Sequence, residues 1–208
     1  HKSVKIIRRR AFSNCTQLIE VEGHDKLRKI EEGAFVFCEY SLRRLTNMRG
    51  VIEIEECAFN HCLTLSDVDF DKLEIVGVAA FGLCESLRTI NLPSVRRVGD
   101  SAFNGCTALT DVVFGKDLER IEQGVFWGSS LRRIVIPLKD NLIFDEHTFH
   151  NCGNLSRVDV LVGGIHKTIS SLHLESWKNK MQEEIDRINQ TIPNTQSSEK
   201  ADSIQQWI

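Results

Sequence analysis

The 208 residues carry 26 basic and 29 acidic side chains, giving a net charge of −3, and 41% of them are hydrophobic. That balance describes a foldable chain with no general attraction for nucleic acid, and no apolar run approaches the roughly 18–20 residues needed to cross a bilayer. The chain opens at His1 rather than at a methionine and closes on Gln206-Trp207-Ile208, which indicates a fragment or a processed product and leaves a removed leader or a downstream anchor open.

From Val4 onward the chain repeats the pattern I-x-x-x-A-F-x-x-C-x-x-L-x-x-V, and Val98 to Val112 is a clear copy. One phenylalanine marks each of seven units: Phe12, Phe35, Phe59, Phe81, Phe103, Phe126 and Phe149, spaced by 23, 24, 22, 22, 23 and 23 residues. Five residues before each lies an apolar side chain, in order Ile7, Ile30, Ile54, Val76, Val98, Ile121 and Phe144. Three residues after each lies Cys15, Cys38, Cys62, Cys84, Cys106, Ser129 and Cys152, so the sixth unit alone lacks the thiol. Self-similarity at a fixed period of this length is the signature of a solenoid rather than of a domain around one central core.

Within a unit, the leucine opens a short strand. In Leu87-Arg88-Thr89-Ile90-Asn91-Leu92, apolar and polar residues alternate with the two-residue period of a strand, and Pro93 closes it. Leu65 to Phe70, Leu109 to Phe114 and Leu131 to Ile136 read the same way, and stacking them predicts one long parallel ladder. The return half, around Ala-Phe, predicts a compact helical or irregular convex segment. Ala11, Ala34, Ala58, Ala80 and Ala102 allow close approach, with Val125 and Thr148 as departures. Gly33, Gly77, Gly99 and Gly124 ease the entering turn. Glu31-Glu32, Glu55-Glu56 and Asp145-Glu146 then suit a helix start. The phenylalanines fill the interior, so Phe103→Ala is expected to cost about 3–5 kcal/mol.

These residues resemble the BspA-type leucine-rich repeat, whose consensus has the same Ala-Phe, Cys and Leu at the same spacing, and the likeness runs from Val4 to about Val160. The resemblance implies an α/β repeat, a leucine-rich-repeat solenoid with a parallel strand ladder. Members of that family occur on bacterial surfaces, some as adhesins, and in single-celled eukaryotes including algae, where most have no known activity. The tail from Ser171 to Trp177 is similar to segments that follow such repeats in algal members. The expected partition is a seven-unit solenoid over 1–162, an amphipathic capping helix over 170–193, and a linker with the start of a truncated second helix over 194–208.

Six of the seven cysteines share one repeat position, which predicts a buried column in which Cys serves as a compact hydrophobe. Stacked parallel side chains suit disulfide torsions poorly, and Ser129 fills the slot without sulfur. Cys57 lies outside the column and is the cysteine left for independent chemistry. His147, His150 and Cys152, and separately Cys57, His61 and Cys62, offer three potential metal ligands each, but their cysteines (Cys57 aside) belong to the column and their histidines to variable turns. No metal or other cofactor is therefore expected. With no nucleophile elbow, phosphate loop or His-Glu-x-x-His motif, the sequence points away from an enzyme. Sequons at Asn14, Asn154 and Asn189 matter only if the chain is secreted.

A surface rather than a pocket is left to carry function. In leucine-rich repeats the outward strand positions often bind ligand. Here the candidate binding residues are Arg44, Asp67, Asp69, Thr89, Asn91, Asp111, Arg133, Arg157 and Asp159, with Glu20, Glu22, Thr46, Val113 and Val135 in the same rows. Charges of both signs favour a protein partner with complementary patches over nucleic acid or lipid. The expected function is a non-enzymatic protein-interaction or scaffold module presenting a concave strand face, with a cell-surface adhesin as the alternative. Seven cysteines without a pairing scheme weight a cytoplasmic location over the cell surface.

The period then changes. Leu174, Trp177, Met181, Ile185, Ile188 and Ile192 are separated by 3, 4, 4, 3 and 4 residues, the period of a straight amphipathic helix, with Pro193 at its end. An open last unit needs a cover, so this helix is expected to fold onto the seventh unit through Trp177 and Met181. The alternative is that its apolar stripe pairs with a partner's helix.

Overall fold

A computed structural model describes residues 3–139, 141–145, 147–161 and 182–207. The repeats stack as a solenoid in which each unit supplies two strands rather than one. The strand that follows the leucine recurs as β2 (Glu20–Glu22), β4 (Arg44–Thr46), β6 (Asp67–Val68), β8 (Thr89–Leu92), β10 (Asp111–Phe114), β12 (Arg133–Pro137) and β14 (Arg157–Leu161). These form two parallel sheets, β2-β4-β6 and β8-β10-β12-β14. The predicted single ladder is thus divided between the third and fourth units.

The apolar residue five before each phenylalanine closes a second strand: β1 (Ile6–Ile7), β3 (Lys29–Ile30), β5 (Glu53–Ile54), β7 (Ile75–Val76), β9 (Arg97–Val98), β11 (Arg120–Ile121) and β13 (Ile143–Phe144). All seven pair in parallel in one sheet. In this ladder Ile7, Ile30, Ile54, Val76, Val98, Ile121 and Phe144 stand in register, while Val112 faces Ile90 and Ile134 in the other. Two residues are too few to show a period of two, which is why this strand is invisible to an alternation test. A further buried row, Leu27, Val51, Leu73, Val95, Leu118 and Leu142, fills the corner between the two ladders.

The convex segment is not helical; it is a pair of tight turns around the phenylalanine. In every unit the residues two before and two after that Phe have positive φ. The first set is Arg10, Gly33, Cys57, Ala79, Ser101, Gly124 and His147, and the second Asn14, Phe37, His61, Leu83, Gly105, Gly128 and Asn151. Between and at these two positive-φ positions, successive N–H groups point in alternate directions. Phe59 N–H donates to the Ala80 carbonyl of the next unit (2.8 Å), whereas Asn60 N–H turns back to Cys57 (3.1 Å) and His61 N–H again reaches forward, to Gly82 (2.9 Å). Each arc is thereby stitched to its successor, and its backbone donors are satisfied without a helix. Gly33 and Gly124 do occupy left-handed positions, but Gly77 and Gly99 serve another end. A Cβ on Gly77 would lie 2.6 Å from the Glu55 carbonyl carbon, and one on Gly99 2.8 Å from the Val78 nitrogen. Those two glycines let neighbouring backbones approach.

The phenylalanines stack face to face, with centroids 5.1–5.7 Å apart and planes within 12°. All are fully buried except Phe12, which has no preceding ring to cover it and is 40% exposed. The cysteine column does more than fill space. Thiols of Cys38, Cys62, Cys84 and Cys106 donate to the Phe12, Phe35, Phe59 and Phe81 carbonyls of the preceding unit at 3.1–3.3 Å, and Cys152 to Phe126 at 2.8 Å. Small size together with a donor is what selects Cys there, and Ser129, against Cys152 at 3.4 Å, keeps both properties. All seven cysteines are free. Thr148, in an alanine slot, satisfies its hydroxyl on the Glu122 and Asp145 carbonyls.

Beyond the repeats, α1 covers 182–191 and passes into a 3-10 turn, Ile192–Asn194, before α2 (Lys200–Trp207). Leu174, Trp177 and Met181, and with them the expected helix start and docking residues, lie outside the described residues. Ile188, Ile192, Ala201 and Ile204 are buried in the same core as the repeats. Asn189 accepts from Val158 N–H (2.6 Å), and Gln205 spans Phe144 N–H (2.9 Å) and the Leu142 carbonyl (2.8 Å). Lys200, 1% exposed, directs its ammonium to the carbonyls of Leu155 (2.7 Å), Cys152 (3.1 Å) and Gly153 (3.4 Å). No described helix is long and apolar enough to cross a membrane.

Candidate functional site: the outward face of the strands

Alternation in β2 to β14 turns one set of side chains inward and leaves the other on the surface, and parallel register lines the outer set into rows. One row runs Glu20, Arg44, Asp67 in the first sheet and Thr89, Asp111, Arg133, Arg157 in the second. A second contains Glu22 and Thr46, then Asn91, Val113, Val135 and Asp159. Val135 lies in this outer row and outside the apolar core, but its neighbours leave it only 4% exposed, so it offers almost no surface.

The candidate residues fall into three groups by what they touch. At the C-terminal end, Arg133 bridges Asp159 (2.6 Å) and Asp111 (3.9 Å), and Arg157 also reaches Asp159 (2.9 Å). Partial burial pushes the Asp159 carboxyl up, but hydrogen bonds from Arg157 and Arg133 outweigh it and hold the group below the usual carboxylate range. In the middle, Thr89 and Asn91 are exposed. Toward the N-terminal end, Asp67 accepts from Ser66 (3.0 Å) and Asp69 pairs with Arg49 (3.3 Å). Arg44 is exposed and has no carboxylate within ion-pair distance among the described residues.

One basic row escaped the sequence reading. Arg43, Arg88 and Arg132 each directly follow the repeat leucine, and all three are exposed. The signal was the dipeptide Leu-Arg at Leu42, Leu87 and Leu131, one position outside the strand positions considered. An open hollow of about 400 Å³ separates Arg43 from Arg88, with Thr64, Ser66 and Ser86 among its lining residues and Glu85 as its carboxylate.

The other ladder is ionically closed. Arg8 pairs with Glu31 (3.0 Å), Arg9 with Glu32 (2.9 Å), Arg97 with Glu122 (2.7 Å), Arg120 with Asp145 (2.6 Å), and Lys29 with both Glu53 (3.0 Å) and Glu55 (2.5 Å). Of the acidic residues expected at a helix start, Glu31, Glu32, Glu55 and Asp145 instead meet cations or backbone donors of neighbouring units. Glu31 accepts from Arg9 N–H and Glu55 from Glu32 N–H, each at 2.9 Å.

The structure brings neither suspected metal set together. His147 and His150 lie 5.5 Å apart, centroid to centroid, with the Trp127 ring tilted against His150 at 4.4 Å, but the Cys152 thiol points to the Phe126 carbonyl. His61 contacts Asn60 through Nδ1, while the Cys62 thiol points to Phe35. No group of three potential ligands converges among the described residues.

Comparison with known proteins agrees with this architecture. The model of the BspA type leucine-rich repeat region matches in six copies, over residues 1–97, 36–156 and 74–192. Among solved structures, a leucine-rich cell surface protein from Faecalibacterium prausnitzii is 30% identical with a TM-score of 0.65, covering 76% of this chain and 43% of that protein. The leucine-rich repeat protein of T. pallidum is 27% identical with a TM-score of 0.58, over 84% of this chain and 76% of that one. A leucine-rich repeat protein from Eubacterium ventriosum, 18% identical with a TM-score of 0.58 over 80% of this chain and 49% of that one, shares the fold. This chain spans less than half the length of the F. prausnitzii protein. No curated protein matches the sequence.

Proposed function

The chain belongs to the BspA-type leucine-rich repeat family, and on that footing we propose that it is a binding module that presents the outward face of its strands to a protein partner, without turnover. The observation that carries this reading is the division of labour between the two ladders. The seven-stranded ladder spends its outward charges on one another from unit to unit. The face of β4 to β8 keeps Arg44, Asp67, Thr89 and Asn91 exposed and uncommitted to any ion pair among the described residues. Mixed charge of this kind gives specificity and steering toward a complementary protein surface.

For location two observations favour different compartments. Five of the six column thiols are buried and all are free, which favours a reducing interior. The F. prausnitzii relative is described as a cell surface protein, which favours the adhesin reading. Both readings use the same face. The test is partner capture by the full chain against Asp67→Lys/Asp69→Lys. Loss of specific partners at an unchanged melting temperature supports the face, and an identical partner set overturns it. Localisation of the tagged native gene product then separates interior module from adhesin.

A further inference from the structure

Fifteen arginines are spread over the chain, and nine of them pair with carboxylates within 4 Å. Arg28 donates to main-chain carbonyls, and Arg10 lies over Gly33. The four that remain, Arg43, Arg44, Arg88 and Arg132, have no acceptor among the described residues, and all four lie at the leading edge of the strand face. Backbone hydrogen bonds fix the row. Ser66 N–H donates to the Arg43 carbonyl (3.0 Å), Thr110 N–H to Arg88 (2.9 Å), Arg132 N–H to Thr110 (2.8 Å) and Ser156 N–H to Arg132 (3.1 Å). One position per unit therefore reads Arg, Ser, Arg, Thr, Arg, Ser. Guanidinia alternate with small hydroxyl residues, which leave room between the cations. The hollow of about 400 Å³ between Arg43 and Arg88 is the first such space, and Thr110 sits at the equivalent place between Arg88 and Arg132.

Resting on the reading of this face as a protein-binding surface, we propose that the Arg43-Arg88-Arg132 row is a docking track for an extended acidic segment of a partner polypeptide. Strands stack about 4.8 Å apart, so arginines in alternate units recur at about 10 Å. A polyproline II chain advances about 9.3 Å in three residues, so a carboxylate at every third position meets each guanidinium in turn. Arginine presents a planar fork suited to carboxylate. The carboxylate lining the hollow, Glu85, and the neighbouring Asp67 and Asp111 on the strands oppose a polyanion with charge at every residue and favour one with spaced charges. No aromatic side chain lines the hollow to stack a base, which argues for a peptide over single-stranded nucleic acid.

The experiment is fluorescence anisotropy with the full chain and a labelled (Glu-Pro-Pro)5 peptide. The comparison probes are (Lys-Pro-Pro)5, a (Glu-Pro)5 peptide of equal charge but two-residue spacing, and a single-stranded oligonucleotide. The expected result is salt-sensitive binding of (Glu-Pro-Pro)5 in preference to the other three, weakened about threefold by Arg88→Gln and about 30-fold by the triple Arg→Gln variant, with unchanged melting because all three side chains are exposed. Equal binding by wild type and Arg88→Gln, no binding, equal affinity for the two acidic peptides, or tighter binding of the oligonucleotide overturns the track. If the peptide result fails while Asp67→Lys/Asp69→Lys still loses its protein partners, the track falls and the wider reading of the face stands. If those reversals leave the partners unchanged, the wider reading falls with it.

Discussion

Lys200 offers the sharpest perturbation of how the solenoid ends. Interior units satisfy carbonyls near the repeat cysteine and leucine with groups from the following unit: Ser41 donates to Cys15 (3.0 Å) and Thr64 to Leu42 (3.0 Å). No eighth unit follows among the described residues, and a lysine arriving from α2 does that work with one ammonium on three carbonyls. Burial pushes the pKa of Lys200 down, and the converging carbonyls favour its charged form. Lys200→Met keeps the unbranched apolar stem, one atom shorter, and removes the donor. The Cys152 carbonyl would retain Leu155 N–H at 3.1 Å, but those of Leu155 and Gly153 would lose their donor. Leaving buried carbonyls unpaired costs about 1–3 kcal/mol each, partly offset because the substitution also removes a desolvated cation. A net loss of about 2 kcal/mol is expected, confined to the contact between tail and seventh unit. Since each 1.4 kcal/mol is about tenfold, hydrogen exchange over 182–207 should quicken about 30-fold while the amides of β3 to β9 keep their rates. Unchanged protection of the tail would refute the reasoning, as would uniform loosening of all units.

Three other outcomes follow from the packing. In the native protein, thiol labelling should reach only Cys57 and Cys15, the two half-exposed cysteines, and denaturant should release all seven. Burial holds Cys106 up at about 12 and Cys152 up at about 11, so labelling of either at pH 8 in the native state would contradict the column. Gly115→Ala should destabilise by about 1–3 kcal/mol or more, measured by urea titration, because its Cβ would fall 1.7 Å from the Pro93 carbonyl oxygen. A neutral result there would mean that the units are not stacked as described. Glu55 is held below its ordinary 4.5, chiefly by its hydrogen bond from Lys29. Its contribution is therefore present above that value and lost as pH falls through the lower folded one, so Glu55→Gln should flatten the stability profile below about pH 4.5, and an identical acid limb would refute the pairing.

How much of this was legible depended on period. The phenylalanine, alanine and cysteine positions recur without ambiguity, and the stack, the parallel ladder and the free-thiol column follow from them. The second ladder did not, because Ile54 or Val98 closes a strand of only two residues, too short for an alternation test. The left-handed turns were hidden because residues as different as Cys57, Ala79, Ser101 and Gly124 fill one slot, where a hydrogen-bonded neighbour imposes the conformation on side chains that do not favour it. The same hydrogen bonding explains why the acidic residues before the arc could pass for a helix start. Cysteine as a mere hydrophobe was half the account, since a carbonyl acceptor in the neighbouring unit lies outside any one repeat. The arginine row lies outside what strand alternation marks, because Arg43, Arg88 and Arg132 stand one residue ahead of the strands. The tail's packing residues Ile188 and Ile192 were visible as apolar spacing; nothing in the spacing marked Lys200 as a buried donor.

The central claim is that this repeat stack binds through the outward face of its strands while the phenylalanine arc and the other ladder serve the structure. Hydrogen exchange of the full chain with and without a captured protein partner tests it most directly. Protection gained over 43–46, 66–69, 88–91, 110–113 and 132–135, with the arc and the seven-stranded ladder unchanged, is the predicted result. Protection confined to the turns around Phe37, His61 and Trp127, or to β1 through β13 of the other ladder, would contradict it.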